Sequence, residues 1–108
     1  MKSFRITGGK GFQVTFPNKV TLSTQFGACN YCDNRSMGID LDMYISPPTL
    51  TECDNAEVAI WDEDDVWITK EMMRELYDDE IMDDVIGHVD MVQWPLIVDW
   101  CRNYKKGE

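Results

Sequence analysis

Three short N-terminal stretches alternate apolar and polar side chains. In 3–7, Phe4 and Ile6 share one face. In 12–16, Phe12, Val14 and Phe16 oppose Gln13 and Thr15. In 20–26, Val20, Leu22 and Phe26 are candidate core positions. Alternation with a period of two marks half-buried strands. Gly8-Gly9-Lys10-Gly11 and Pro17-Asn18-Lys19 supply turns between them, so an antiparallel meander with one solvated face is expected. Residues 27–40 break the alternation as a long polar loop rich in Gly, Asn and Asp, a kind of segment that often carries function. Leu41, Met43 and Ile45 begin a further strand that Pro47-Pro48 must end. Ala56–Trp61 is a strong strand, Asp62-Glu63-Asp64-Asp65 a turn, and 66–69 the return of a second hairpin.

The period then lengthens. Met72, Met73, Leu76 and Tyr77 form one helical stripe after Thr69, which is placed to cap it. Asp78–Ile86 fits neither period clearly, and Gly87 closes it. The main helix is expected over 90–105. Asp90 and Gln93 fit a capping box, or the helix begins near Trp94 with Pro95 in its first turn. Leu96, Ile97, Trp100 and Tyr104 would be its buried stripe. The fold class is therefore α+β, an antiparallel sheet of about five short strands packed by one or two helices, the main one C-terminal.

Length and composition agree with this pattern. The chain has 108 residues, 44% of them hydrophobic and 11% aromatic, which suits one domain with one core over 1–108. Charge adds more. The net charge is −10, but residues 1–50 sum to +2 and residues 51–108 to −12. The window 61–90 alone holds twelve acids and two bases. Direct binding to nucleic acid or to an anionic membrane is excluded on this ground, since both need basic side chains. The complementary partner is a protein with a basic surface. Met1-Lys2-Ser3-Phe4-Arg5 has no apolar signal region and no stretch is long enough to span a bilayer, so a cytoplasmic location is expected.

Candidate chemistry is sparse. Cys29-Asn30-Tyr31-Cys32 has the spacing of a zinc half-site. Cys53, His88 and Cys101 are the only further Cys or His ligands, and they are scattered, so Cys29 and Cys32 are weak metal candidates only. A redox pair wants a helix after the first cysteine, whereas Asp33-Asn34-Arg35-Ser36 continues a loop. His88 is the sole histidine, and no carboxylate pair is singled out by spacing. Gly8-Gly9-Lys10-Gly11 lacks a strand–loop–helix context for phosphate. No cofactor and no enzymatic activity are expected.

Binding candidates are stronger. Asp62, Glu63, Asp64 and Asp65 form one acidic cluster. Asp78, Asp79, Glu80, Asp83 and Asp84 would form a second along one face if that segment is helical. The ordinary role of such residues is a solvated face, yet a net charge of about 2–8 suffices for solubility. Tyr31, Asp33, Asn34 and Arg35 in the long loop are a further candidate contact. Trp61 and Trp67 flank the acidic turn and serve equally as core.

The runs Phe12–Phe16, Gln25-Phe26-Gly27, Asn30-Tyr31-Cys32-Asp33-Asn34 and Ala56–Trp61, with the Asp99-Trp100 helix, resemble a family of small proteins encoded by tailed bacteriophages and prophages. The resemblance covers most of the chain and is strongest over 11–34. The chain departs from that pattern at Cys29 and Pro95. The resemblance implies a viral origin and assigns no activity. By analogy with acidic phage accessory proteins, the leading expectation is an inhibitor of bacterial defence, of anti-CRISPR or anti-restriction type, that blocks a basic host protein. The alternatives are a homo-oligomeric sponge for a signalling nucleotide, using Lys10, Tyr31 and Arg35, and a zinc-stabilised structural or regulatory protein.

Overall fold

The alternating stretches form strands as their period requires. In a computed structural model, which describes residues 2–35 and 50–107, they are β1 (Phe4–Ile6), β2 (Gly11–Thr15) and β3 (Thr21–Gln25). β4 (Ala56–Trp61) follows, then α1 (Thr69–Tyr77), β5 (Val85–Val89) and α2 (Trp94–Asn103). The five strands make one antiparallel sheet in the order β1-β2-β3-β4-β5. The expected α+β architecture is thus observed, with the later helix C-terminal. The strand expected over Leu41–Ile45 lies outside the described residues.

Both helices pack on one face of the sheet, α1 over β4 and α2 over β3. Register puts Val14, Leu22 and Ile60 in line on that face, with Val58 beside them. Leu22, Val58, Ile60, Met72 and Ile97 are fully buried there. Burying each such side chain contributes about 1.5–3 kcal/mol. The opposite face is polar: Arg5, Gln13, Thr15 and Thr21 are joined by side-chain hydrogen bonds of 2.8–3.3 Å.

One open stretch resolves and three local expectations change. Val85–Val89 is a strand, in a stretch whose pattern fitted neither period. The Gly87-His88 pair bulges opposite Glu57, with His88 at φ 53°. The return from the acidic turn shrinks to a single bridge, Trp61 to Trp67, because α1 starts at once. Thr69 is the first residue of α1 and does not cap it. Its hydroxyl accepts from Ile60 N–H (2.9 Å) and so extends the β4 ladder. On α2 the buried positions are Ile97 and Cys101, while Leu96 is half exposed.

The start of α2 satisfies both sequence readings. Asp90 accepts from the N–H groups of Val92 and Gln93 at 3.0 and 2.9 Å, and Gln93 accepts from Asp90 N–H. That is the capping box. The regular helix then begins at Trp94, with Pro95 in its first turn, where the missing N–H costs nothing. At the other end, Asn18 donates to the carbonyls of Cys101 and Tyr104 (2.8 and 3.1 Å), tying α2 to the β2–β3 turn.

Candidate functional site

The first acidic cluster precedes α1 and the second follows it. The second starts at Asp78, which ends α1, and by Asp84 it has returned to Lys70 in the first turn of that helix (4.0 Å). The clusters differ in how free their charges are.

The first cluster is largely satisfied within the protein. Asp62 is buried, and its Oδ1 accepts from Asp64 N–H (2.9 Å) and Val66 N–H (3.1 Å). Burial alone would raise its pKa. The Val66 and Asp64 N–H groups and the nearby Lys106 outweigh that and hold it below the ordinary carboxylate value. Lys106 lies 3.5 Å from Asp62 Oδ2 and is also bonded to Asp64. Glu63 faces Lys19 at 3.7 Å. Asp65 is exposed and takes the left-handed conformation that closes the turn. Asp62 thus builds the turn and has little left to offer a partner, while Glu63, Asp64 and Asp65 remain on the surface.

The second cluster is open. Asp78, Asp79, Glu80, Asp83 and Asp84 are all exposed. Only Asp84 has a cationic partner among the described residues, Lys70 at 4.0 Å. The segment is not helical, so the carboxylates do not stack on a helix face as expected. Asp78 ends α1 in the left-handed region (φ 51°), with its N–H on Arg74 O (3.1 Å). Glycine is the usual residue at such a C-terminal stop, and a carboxylate there opposes the negative end of the helix dipole. Asp78 is therefore placed at a cost to stability.

α1 and α2 border a groove of about 730 Å³ that sequence reading missed. Glu71, Glu75, Asp99 and Lys105 line it, with Trp100 and Tyr104 among its walls, and Asp99 is paired with Arg102 at 2.9 Å. The two rings lie 5.1 Å apart. Burial, then the neighbouring Glu71, pushes the Tyr104 hydroxyl pKa up. Glu71 and Glu75 stand one helical turn apart. That spacing was the available signal. Acidic side chains thus form a band around α1: the 62–65 turn before it, Glu71 and Glu75 on the groove with α2, and Asp78–Asp84 from its C-terminal end back to Lys70. An exposed band of this kind suits lysine and arginine side chains.

The loop candidates sit elsewhere, over the far end of β4 and β5. Tyr31 N–H donates to Glu57 (2.9 Å), and Tyr31 O accepts from His88 N–H (2.9 Å). Gly87 is needed beneath it: a Cβ there would lie 2.7 Å from Tyr31 Cβ and 2.9 Å from its carbonyl oxygen. Asn34 holds Phe26 O and Glu52 O through its amide (2.7 and 2.8 Å), which makes it a scaffold residue. Asp33 is exposed, 3.8 Å from His88. Arg35 stacks on the Tyr31 ring, 4.4 Å from its centre. Residues 36–40 of the expected loop lie outside the described residues. Trp67 is about half exposed and rests against Trp61, ring centres 5.3 Å apart.

No three potential metal-ligating side chains converge among the described residues. Cys32 is buried and its thiol is pushed up, chiefly by burial, with Cys53 beside it. Cys29 is exposed, and Cys101 is sealed in the core, its pKa raised to about 12 by burial. No helix among the described residues is long and apolar enough to cross a membrane. No family model, curated protein or solved structure matches this chain.

Proposed function

We propose that this chain is a phage-encoded acidic binding protein that inhibits a bacterial defence system, of anti-CRISPR or anti-restriction type. It works in the host cytoplasm by covering a basic, nucleic-acid-binding surface of a defence protein, and it acts by binding, not by catalysis. The observation that carries this reading is the Asp78–Asp84 run. Five carboxylates are exposed there, four of them without a cationic partner among the described residues, and Asp78 is kept where it opposes the helix dipole. Unpaired surface charge of one sign raises association rates with an opposite surface. The likeness to tailed-phage proteins supports the origin.

The test is cleavage of duplex DNA by CRISPR nucleases and restriction endonucleases, with and without the chain. Inhibition that weakens as salt rises is expected. A variant carrying Asp78→Lys, Asp79→Lys, Glu80→Lys and Asp83→Lys should lose it. Full-strength inhibition by that variant would leave the acids a solubilising role only.

A nucleotide sponge is the second reading. It draws on the exposed stack of Arg35 on Tyr31, a cation and a ring of the kind that hold a nucleotide. A nucleotide released when the purified protein is heat-denatured would favour it over blockade.

A further inference from the structure

The open edge of the sheet points to a second binding surface, independent of the acidic band. Among the described residues, β1 pairs on one side only. Thr15 N–H donates to Ser3 O (2.8 Å) and Thr7 N–H donates to Gly11 O (2.9 Å), so the odd-numbered residues face β2. An antiparallel ladder alternates, which leaves the N–H and C=O groups of Phe4 and Ile6 directed away from the sheet. Their side chains lie on the helix-bearing face but are 84% and 86% exposed, since the helices pack over β3 and β4. A shallow groove of about 320 Å³ runs along this edge, lined by Phe4, Arg5, Ile6, Phe12 and Gln13.

Exposed edges are normally blunted by a charge, a proline or a bulge. β1 has no proline and no bulge. Its one charge, Arg5, is drawn back across the polar face. Its guanidinium donates to Thr15 Oγ1 (2.8 Å) and Gln13 Oε1 (3.3 Å), and to Lys2 O (2.6 Å). Residues 2–16 hold Lys2, Arg5 and Lys10 and no acid. None of the three has a carboxylate partner among the described residues. The edge is thus apolar on one face and carries Arg5 on the other, in a chain that is otherwise acidic.

We propose that β1 receives an added strand: an extended segment of a partner protein in which apolar residues alternate with acidic ones. Its main chain pairs with the outward N–H and C=O groups of Phe4 and Ile6. Its apolar side chains lie beside Phe4 and Ile6, and a carboxylate lies beside Arg5. Charge selects this occupant over a second copy of the chain, because a two-fold pairing centred on β1 sets Arg5 against Arg5 of the other copy, and like charges directly opposite are unfavourable.

The experiment uses the full chain and a capped peptide alternating glutamate and valine, with a lysine–valine peptide beside it. Amide exchange at Phe4 and Ile6 is read by NMR. The acidic peptide should slow exchange at both, and the basic peptide should not. Arg5→Glu should reverse the preference, weakening the acidic peptide about tenfold, and Ile6→Lys should weaken it while leaving thermal unfolding unchanged. Equal protection by both peptides, or none at saturation, would overturn the proposal. So would protection that grows with protein concentration and no peptide, since that is a second copy on the edge.

Discussion

The two edges of this sheet are built differently. β5 is guarded. It is bulged at Gly87-His88, covered by the Tyr31 carbonyl, and entered from Asp83-Asp84. β1 is regular and apolar, and no further strand or loop pairs with it among the described residues. Bulges, covering loops and charges are what keep a sheet edge from pairing with other chains, so among the described residues one edge is closed and the other open. Charge divides in the same sense: the acids gather around α1 and the approach to β5, and the unpaired cations of the first hairpin around β1. The molecule offers two surfaces with opposite electrostatic preferences.

Perturbations should separate these surfaces by size. Ile60→Ala removes a fully buried side chain from the shared core and should lower unfolding free energy by about 3–4 kcal/mol in denaturant titration. Gly87→Ala should cost about 2–3 kcal/mol, because the loop must retreat from the new Cβ. Its damage should be confined to one edge: faster amide exchange at His88 and Tyr31, and none at β1. Asp78→Gly should act in the opposite sense, stabilising by about 1 kcal/mol through relief of the left-handed residue and the dipole clash, while weakening inhibition. Ile6→Lys should leave stability within about 0.5 kcal/mol.

Acid should act on the 62–65 turn. Asp62 has a pKa below the ordinary 3.8, so its contribution is present above that value and is lost as pH falls through the depressed one. Asp62→Asn should flatten that part of the stability profile between wild type and variant, measured by thermal unfolding below pH 4.

Much of the fold could be read from the pattern of side chains. β2 alternates, Val20, Leu22 and Phe26 bracket β3, β4 is a short apolar run, and the Asp90–Gln93 box marked the approach to α2. β5 was missed because its five residues include Gly87 and a left-handed His88, so no alternation survives the bulge. Alternation put Phe4 and Ile6 on the correct face but carries no information on whether a helix reaches that far. On α2, Ile97, Trp100 and Tyr104 face the core as expected, but Leu96 was misplaced and Cys101 missed, because Leu96 looks the more buried of the two. The acidic clusters were visible as composition. What composition cannot show is that Asp62 turns inward to its own turn, or that Glu71, Glu75 and Asp99 meet across two helices.

The most direct measurement is the hydrogen-exchange footprint of the chain bound to a nuclease that it inhibits, recorded at low and high salt. Protection should fall on residues 78–84 and the 62–65 turn, fade at high salt, and leave β1 unchanged. Protection centred on β1 and insensitive to salt, with 78–84 exchanging as in the free chain, would contradict the acidic band as the inhibitory face.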